Sequence, residues 1–83
     1  MIMMNNSNLM ALVLCEKDTH MRNDVEVKFR STRTGVMASF RANLGINRFG
    51  TPEYAHITTI ATHRIQSAES VIKALRNDSR LYD

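Results

Sequence analysis

The sequence predicts an α+β fold, in which a small antiparallel β-sheet of three to four strands is packed by one C-terminal helix in the order β-β-β-β-α. Two observations favour this class. Apolar and polar residues alternate strictly over 25–30 and again over 36–42, and apolar residues recur at helical spacing over 67–76. With 83 residues, of which 43% are hydrophobic and 23% charged, the chain has the composition of one ordinary globular domain.

The first predicted strand is the apolar run LMALVLC, Leu9–Cys15. A continuous apolar run this short is typical of a strand buried on both faces, although the same run can form part of a buried helix. Residues 1–8 are rich in Met and Asn, so we expect a flexible leader there, and Met10 is a possible internal start. Cys15, among apolar neighbours, is expected to be a small buried hydrophobe.

The next two strands are predicted to form a β-hairpin. Over 25–30 the apolar side chains share one face and the charged ones share the other, and 36–42 alternates in the same way around a polar turn. Because a one-residue slip would turn one apolar set toward water, the register is predicted as well. Val27 should lie opposite Phe40, and Glu26 opposite Arg41.

Residues 43–65 are predicted to contain a loop and then a fourth strand. The segment 43–52 contains two glycines and the proline, which indicates a loop of about ten residues. Thr51, Pro52 and Glu53 would suit the start of a helix, yet 54–65 is rich in β-branched residues. A strand is favoured there, and a helix remains the alternative.

The last element is predicted to be a helix over 67–76. Ser67 is placed to cap it, and Glu69 lies in the first turn, where a negative charge is favourable. The apolar stripe of this helix is expected to cover one face of the sheet. It consists of Ala68, Val71, Ile72 and Leu75, and it is expected to pack on Val25, Val27, Phe29, Ala38 and Phe40. The predicted domain therefore spans residues 9–79, and residues 80–83 are predicted to form a C-terminal tail.

One helix leaves part of the apolar surface uncovered, so a homodimer or a partner-covered surface is expected. The apolar residues left over are Met37, Ile46, Phe49, Tyr54 and Tyr82.

The formal net charge of +3 is concentrated in one stretch. Six basic and two acidic residues lie between Arg22 and Arg48, and eight of the eleven cations in the chain are Arg, which binds carboxylates and phosphates through a planar fork. The residues predicted to bind a partner or nucleic acid are Lys28, Arg30, Arg33, Arg41 and Arg48. No aromatic residue is expected among these cations on the outer side of the hairpin, because Phe29 and Phe40 point inward, and this disfavours stacking on single-stranded nucleic acid.

The sequence predicts no catalytic residue, no metal site and no cofactor. The three histidines and Cys15 lack the short spacing with which zinc sites usually begin. His56-Ile57-Thr58 has the His-hydrophobic-Thr form found in two-histidine phosphoesterases, but those enzymes need two copies and this chain has one. We therefore expect that the protein is not an enzyme.

Two functions remain as hypotheses. The first is a small regulatory or inhibitory module, of the kind that phages and mobile elements encode, which docks through the basic hairpin face on a larger protein or nucleoprotein partner. The alternative is a DNA- or RNA-binding protein that uses the hairpin as a ribbon. The lone cysteine fits a reducing compartment, and the longest apolar run has seven residues, so a cytoplasmic protein without membrane contact is expected.

Overall fold

The computed structural model describes residues 3–83 and arranges them as α-β-β-β-α. The elements are α1 (Asn6–His20), β1 (Val25–Ser31), β2 (Gly35–Ile46), β3 (Pro52–His63), α2 (Ala68–Arg76) and a 3₁₀ turn (Ser79–Leu81). The three strands form one antiparallel sheet in the order β1-β2-β3. The predicted α+β class, antiparallel sheet and C-terminal helix are confirmed, but the four-strand order β-β-β-β-α is wrong.

The error lies in the run Leu9–Cys15, which belongs to helix α1 and not to a strand. Asn5 caps this helix, with its side-chain oxygen accepting a hydrogen bond from the Asn8 backbone N–H at 2.7 Å. Leu9, Val13 and Glu16 are buried at helical spacing, so the buried stripe continues past the apolar run into a charged residue. Cys15 is exposed, contrary to the expectation that it is buried.

The hairpin of β1 and β2 has the predicted register. Val27 pairs with Phe40, Glu26 with Arg41, and Ser31 with Val36. The alternation of the two strands therefore places one apolar face against the helices, here called the inner face, and leaves the opposite face to the charged residues.

Strand β3 is confirmed as the third long strand of the chain, and the helical alternative for 54–65 is excluded. Its β-branched residues pair with β2, and the buried Thr62 hydroxyl donates to the Val36 carbonyl at 3.1 Å. The predicted ten-residue loop is shorter than expected, because β2 runs on to Ile46 and β3 begins at Pro52. Only 47–51 form the turn.

This turn is ordered by Asn47, whose side-chain oxygen accepts hydrogen bonds from the backbone N–H groups of Phe49 and Thr51. Gly45 and Gly50 adopt φ angles of +90° and +78°, which other residues rarely adopt. The paired ends of β2 and β3, residues 43–54, extend beyond the helices as a two-stranded arm. The arm contributes to the elongated shape of the protein, which measures 51 × 26 × 16 Å.

The core lies between the inner face and both helices. Helix α2 is confirmed, with Ser67 as its cap, and it buries Val71 and Leu75. Ala68 is exposed and Ile72 only half-buried, because α1 takes part of the sheet that the prediction assigned to α2. Fully buried apolar side chains come from every element of the chain except β3: Leu9, Val13, Val25, Val36, Ala38, Phe40, Val71, Leu75 and Leu81. Val27 and Phe29 pack against this core while remaining partly exposed.

Both helices and the C-terminal residues are joined by a polar contact at Glu16. Glu16 of α1 is buried, and its carboxylate accepts two hydrogen bonds from Arg76 of α2, at 2.9 and 3.0 Å. The Tyr82 hydroxyl donates a third at 2.8 Å. This contact satisfies the buried charge and fixes α1, α2 and the C-terminal residues against one another.

Gly35, at the start of β2, is required for space. A Cβ atom at this position would overlap the carbonyl oxygen of Thr62 on the neighbouring strand. Gly35→Ala is therefore expected to lower the free energy of unfolding by about 1–3 kcal/mol, as overpacking usually does. Chemical denaturation followed by circular dichroism measures the loss, and the exposed neighbouring variant Thr34→Ala serves as control. Equal stability of the two variants would show that the strands move apart without cost.

Candidate interaction surface

The face of the sheet opposite the helices is not covered by any part of the chain over residues 3–83. We call it the outer face. The strand pairing assigns to it Glu26, Lys28, Arg30, Met37, Ser39, Arg41, Tyr54, His56, Thr59 and Ala61. The outer face is therefore a broad, mixed polar surface that is presented by three strands.

The predicted contact residues fall into two places, one around Lys28 and one in the arm. Lys28 and Arg30 project from β1 and are exposed, and Arg33 is exposed in the adjoining turn between β1 and β2. Arg41 lies on β2 opposite Glu26, diagonally next to Lys28, and Arg48 lies in the arm turn. Because β2 has 12 residues and a strand rises about 3.3 Å per residue, Arg33 and Arg48 are separated by roughly 35 Å. The structure therefore brings Lys28, Arg30 and Arg33 together and does not bring Arg48 to them.

Arg41 is held in place by two neighbours. Its guanidinium group forms an ion pair with Glu26 across the β1–β2 ladder, with 3.3 Å between Nη2 and Oε1. On its other side the guanidinium carbon lies 3.6 Å from the centre of the Tyr54 ring. Asn43 donates a further hydrogen bond to Glu26 at 2.9 Å. The side chain of Arg41 is thus fixed in one orientation on the outer face.

Lys28, Arg30 and Arg33 have fewer contacts. Among the residues that the structure describes, none of the three forms an ion pair. Arg30 donates only to the sulfur of Met37, at 3.2 Å. These cations are therefore available to carboxylates or phosphates of another molecule.

The predicted set of contact residues leaves out two residues of this surface, of which Tyr54 was predicted only to be an uncovered apolar residue. Tyr54 places an aromatic ring among the cations, so the expectation that no aromatic lies there is wrong. Arg64 donates through its backbone to the Thr34 carbonyl at 2.9 Å and through its guanidinium to the Arg33 carbonyl, which adds a further cation beside Arg33. Alternation along β3 is the signal that could have assigned Tyr54 to a face of the sheet. A bulge interrupts it, because Ile57 of β3 is an extra residue between the pairs Phe40–Thr58 and Arg41–His56, and the faces of the residues before it are exchanged.

The bulge also separates the two polar residues of the His56-Ile57-Thr58 motif. His56 lies on the outer face, 3.5 Å from the Thr59 hydroxyl, whereas Thr58 pairs with the inward-facing Phe40. A phosphodiester bound at His56 would therefore not meet Thr58. Within residues 3–83 no group of three His, Cys, Asp or Glu side chains is arranged to hold a metal ion.

No known protein-family model matches the chain, and no curated protein and no solved structure is significantly similar to it. Over residues 3–83, none of the helices combines the length and the apolar character needed to cross a membrane. Functional inference therefore depends on the geometry of the outer face.

Proposed function

We propose that this protein is a small non-enzymatic regulatory or inhibitory module that docks through the outer face on an acidic patch of a larger protein or nucleoprotein partner. The observation that carries the proposal is the fixed arrangement of Glu26, Arg41 and Tyr54 beside unpaired cations on an uncovered sheet.

The Arg41–Tyr54 stack supports docking on a protein. Arg and Tyr are the residue types that most often dominate the binding energy of protein interfaces. Since Glu26 and Tyr54 already hold the guanidinium group, little side-chain entropy is lost when a partner contacts it. Such preorganisation makes Arg41 the expected centre of the contact.

The charge pattern of the outer face supports an acidic protein patch over nucleic acid. Lys28, Arg30 and Arg33 can orient an acidic partner at one end of the sheet. Proteins that bind nucleic acid through phosphates often neutralise six to ten of them, whereas here four cations, Lys28, Arg30, Arg33 and Arg64, are clustered and Glu26 adds a negative charge to the same face. A partner with both carboxylates and hydrogen-bond donors fits this mixture better than a phosphate backbone does.

The test reverses charge at the exposed end of the surface. Arg30→Glu/Arg33→Glu is expected to remain folded, because both side chains are exposed, and to weaken partner binding by about 30-fold or more, equivalent to roughly 2 kcal/mol. Affinity capture with wild-type bait followed by mass spectrometry identifies the partner, and calorimetry with the purified pair measures both affinities. The matched control is Arg48→Glu, which makes the same charge reversal at the distant arm turn.

Wild-type affinity of the folded double variant would reject the outer face as the binding surface. Loss of binding by Arg48→Glu alone would move the site to the arm.

Direct nucleic-acid binding is the second candidate, and the arm is the observation that favours it. A two-stranded ribbon fits the major groove of DNA, and this arm carries Arg48 at its tip, with its guanidinium carbon 4.9 Å from the centre of the Phe49 ring. Titration of a 20-base-pair duplex at low and high salt distinguishes the candidates. Affinity that falls steeply with salt and is lost in Arg48→Glu supports this function over protein docking.

A further inference from the structure

The two edges of the sheet differ in their protection against pairing with another strand. Edge strand β1 carries alternating charges, Glu26, Lys28 and Arg30, which discourage a second strand from adding there. Edge strand β3 is longer, at 12 residues, contains no Lys or Arg, and has a single charged residue, Glu53. Natural proteins rarely leave a long, neutral edge without a covering partner.

No strand of the described chain pairs with the free edge of β3, although Asp78 of the C-terminal segment is within side-chain hydrogen-bond reach of Thr58. The sheet order places β3 outside β2, and between Glu53 and Thr62 the backbone makes no hydrogen bond to any residue of 3–83 outside β2. A row of backbone donors and acceptors therefore faces outward. Water satisfies such a row in the free protein, and another extended strand can replace that water along the whole row.

We propose that a second copy of this chain pairs with the β3 edge. The two β3 strands run antiparallel across a twofold axis between Ile57 and Thr58, in a register in which paired residue numbers sum to about 115. Two sheets then join into one of six strands. This pairing is made by the backbone edge of β3 and does not depend on the docking proposed above, although the side chains of Tyr54 and His56 beside it belong to the outer face.

The bulge at Ile57 makes this register consistent with both faces of the sheet. In an uninterrupted strand, residues 54 and 61 point to opposite faces, because side chains alternate. The extra residue shifts the alternation, so Tyr54 and Ala61 both lie on the outer face. Residues 54 and 61, and residues 56 and 59, can therefore pair between two copies. Since paired residues point to the same side, the outer faces of the two copies then form one continuous surface.

The side chains that this register places opposite one another are compatible. Tyr54 meets Ala61 and His56 meets Thr59, so no like charges oppose each other. A twofold axis at the centre of β1 would set Lys28 against Lys28, although it would also place Glu26 opposite Arg30. The repulsion at the centre of β1 therefore favours self-pairing at β3, where no like charges meet.

Exposed apolar residues at the two ends of β3 supply a second argument. Phe49 and Ile46 of the arm are 76% and 72% exposed, and at the opposite end Ile65 and Met3 are 62% and 59% exposed. Antiparallel pairing places the arm of each copy, with Ile46 and Phe49, beside Met3 and Ile65 of the other copy. The twofold axis therefore generates this apolar contact at both ends of the interface, as expected of an isologous interface.

The first measurement is the mass in solution by light scattering after size exclusion. We expect twice the chain mass of 9.5 kDa at protein concentrations of tens of micromolar. His56→Lys/Thr59→Lys sets lysines against lysines at the centre of the interface and is expected to give the monomer mass with a folded circular dichroism spectrum. Asn23→Lys/Ser31→Lys adds the same charge at exposed positions away from β3 and is expected to remain dimeric.

Cross-linking tests the register in a Cys15→Ser background. Tyr54→Cys/Ala61→Cys is expected to form a disulfide-linked dimer on mild oxidation, because the two positions face each other between copies and are too far apart to bridge within one strand. Glu26→Cys/Arg30→Cys, the equivalent pair on β1, is expected to remain uncross-linked. A wild-type protein that is monomeric up to hundreds of micromolar, or a dimer that cross-links equally at both edges, overturns the proposal.

Discussion

Replacing Leu75 by Ala is expected to reduce the free energy of unfolding by about 3–5 kcal/mol. Leu75 is fully buried, at 0% exposure, in the core between the two helices and the sheet. Truncation removes apolar contacts and leaves a cavity that the neighbouring strands cannot fill. Because domains have only about 5–15 kcal/mol of stability in total, most of the margin of this small one is lost. Urea denaturation followed by circular dichroism measures the change.

Ile72→Ala provides the control within the same helix. The sequence predicts equal burial for Ile72 and Leu75, whereas the structure leaves Ile72 half-exposed. Ile72→Ala is therefore expected to lower the free energy of unfolding clearly less than Leu75→Ala does. Equal losses at the two positions would contradict the packing of α2 described above.

Glu16→Ala, which removes the buried carboxylate, is expected to lower the free energy of unfolding by about 2–3 kcal/mol. The Tyr82 hydroxyl and the Arg76 guanidinium then lose their hydrogen-bond acceptor while they remain partly buried. The hydrogen bonds from Arg76 hold the pKa of Glu16 below its ordinary value of 4.5, against the opposing effect of burial. Burial and the hydrogen bond to Glu16 raise the pKa of Tyr82.

The lowered pKa of Glu16 also predicts how stability depends on pH. A carboxyl group whose pKa is lower in the folded protein contributes its full stability above the ordinary value and loses it as the pH falls toward the folded value. Arg80 likewise lowers the pKa of Asp78 to about 2, and Arg22 lowers the pKa of Asp24. Stability is therefore expected to decline as the pH falls from about 4.5 to about 2.

Arg76→Met tests the origin of this decline. Without the guanidinium group the pKa of Glu16 rises, so the midpoint of acid unfolding is expected to move to higher pH. Lys17→Met removes one partner of the exposed Lys17–Asp18 pair and is expected to leave the midpoint unchanged. An unchanged midpoint in Arg76→Met would show that the Glu16 contact contributes nothing to acid sensitivity.

Local pattern was sufficient to predict the hairpin and the C-terminal helix. The alternation around Val27 and Phe40 allows one register for the hairpin, because a one-residue slip exposes an apolar face. The Ser67 cap and the apolar stripe predict where α2 begins and which face it buries. The cations at Lys28, Arg30 and Arg33 were placed together for the same reason, since they share the polar face of one hairpin and its turn.

Local sequence patterns therefore predict each element whose residues alternate or repeat within a single hairpin or helix. The remaining features depend on contacts between elements. The run Leu9–Cys15 lies in a helix whose buried stripe continues to Glu16, and the carboxylate of Glu16 is held by Arg76, which lies 60 residues away in sequence. Tyr54 reached the outer face because of a bulge that exists only in the pairing of β3 with β2. Both outcomes depend on contacts between distant residues, which local periodicity does not contain.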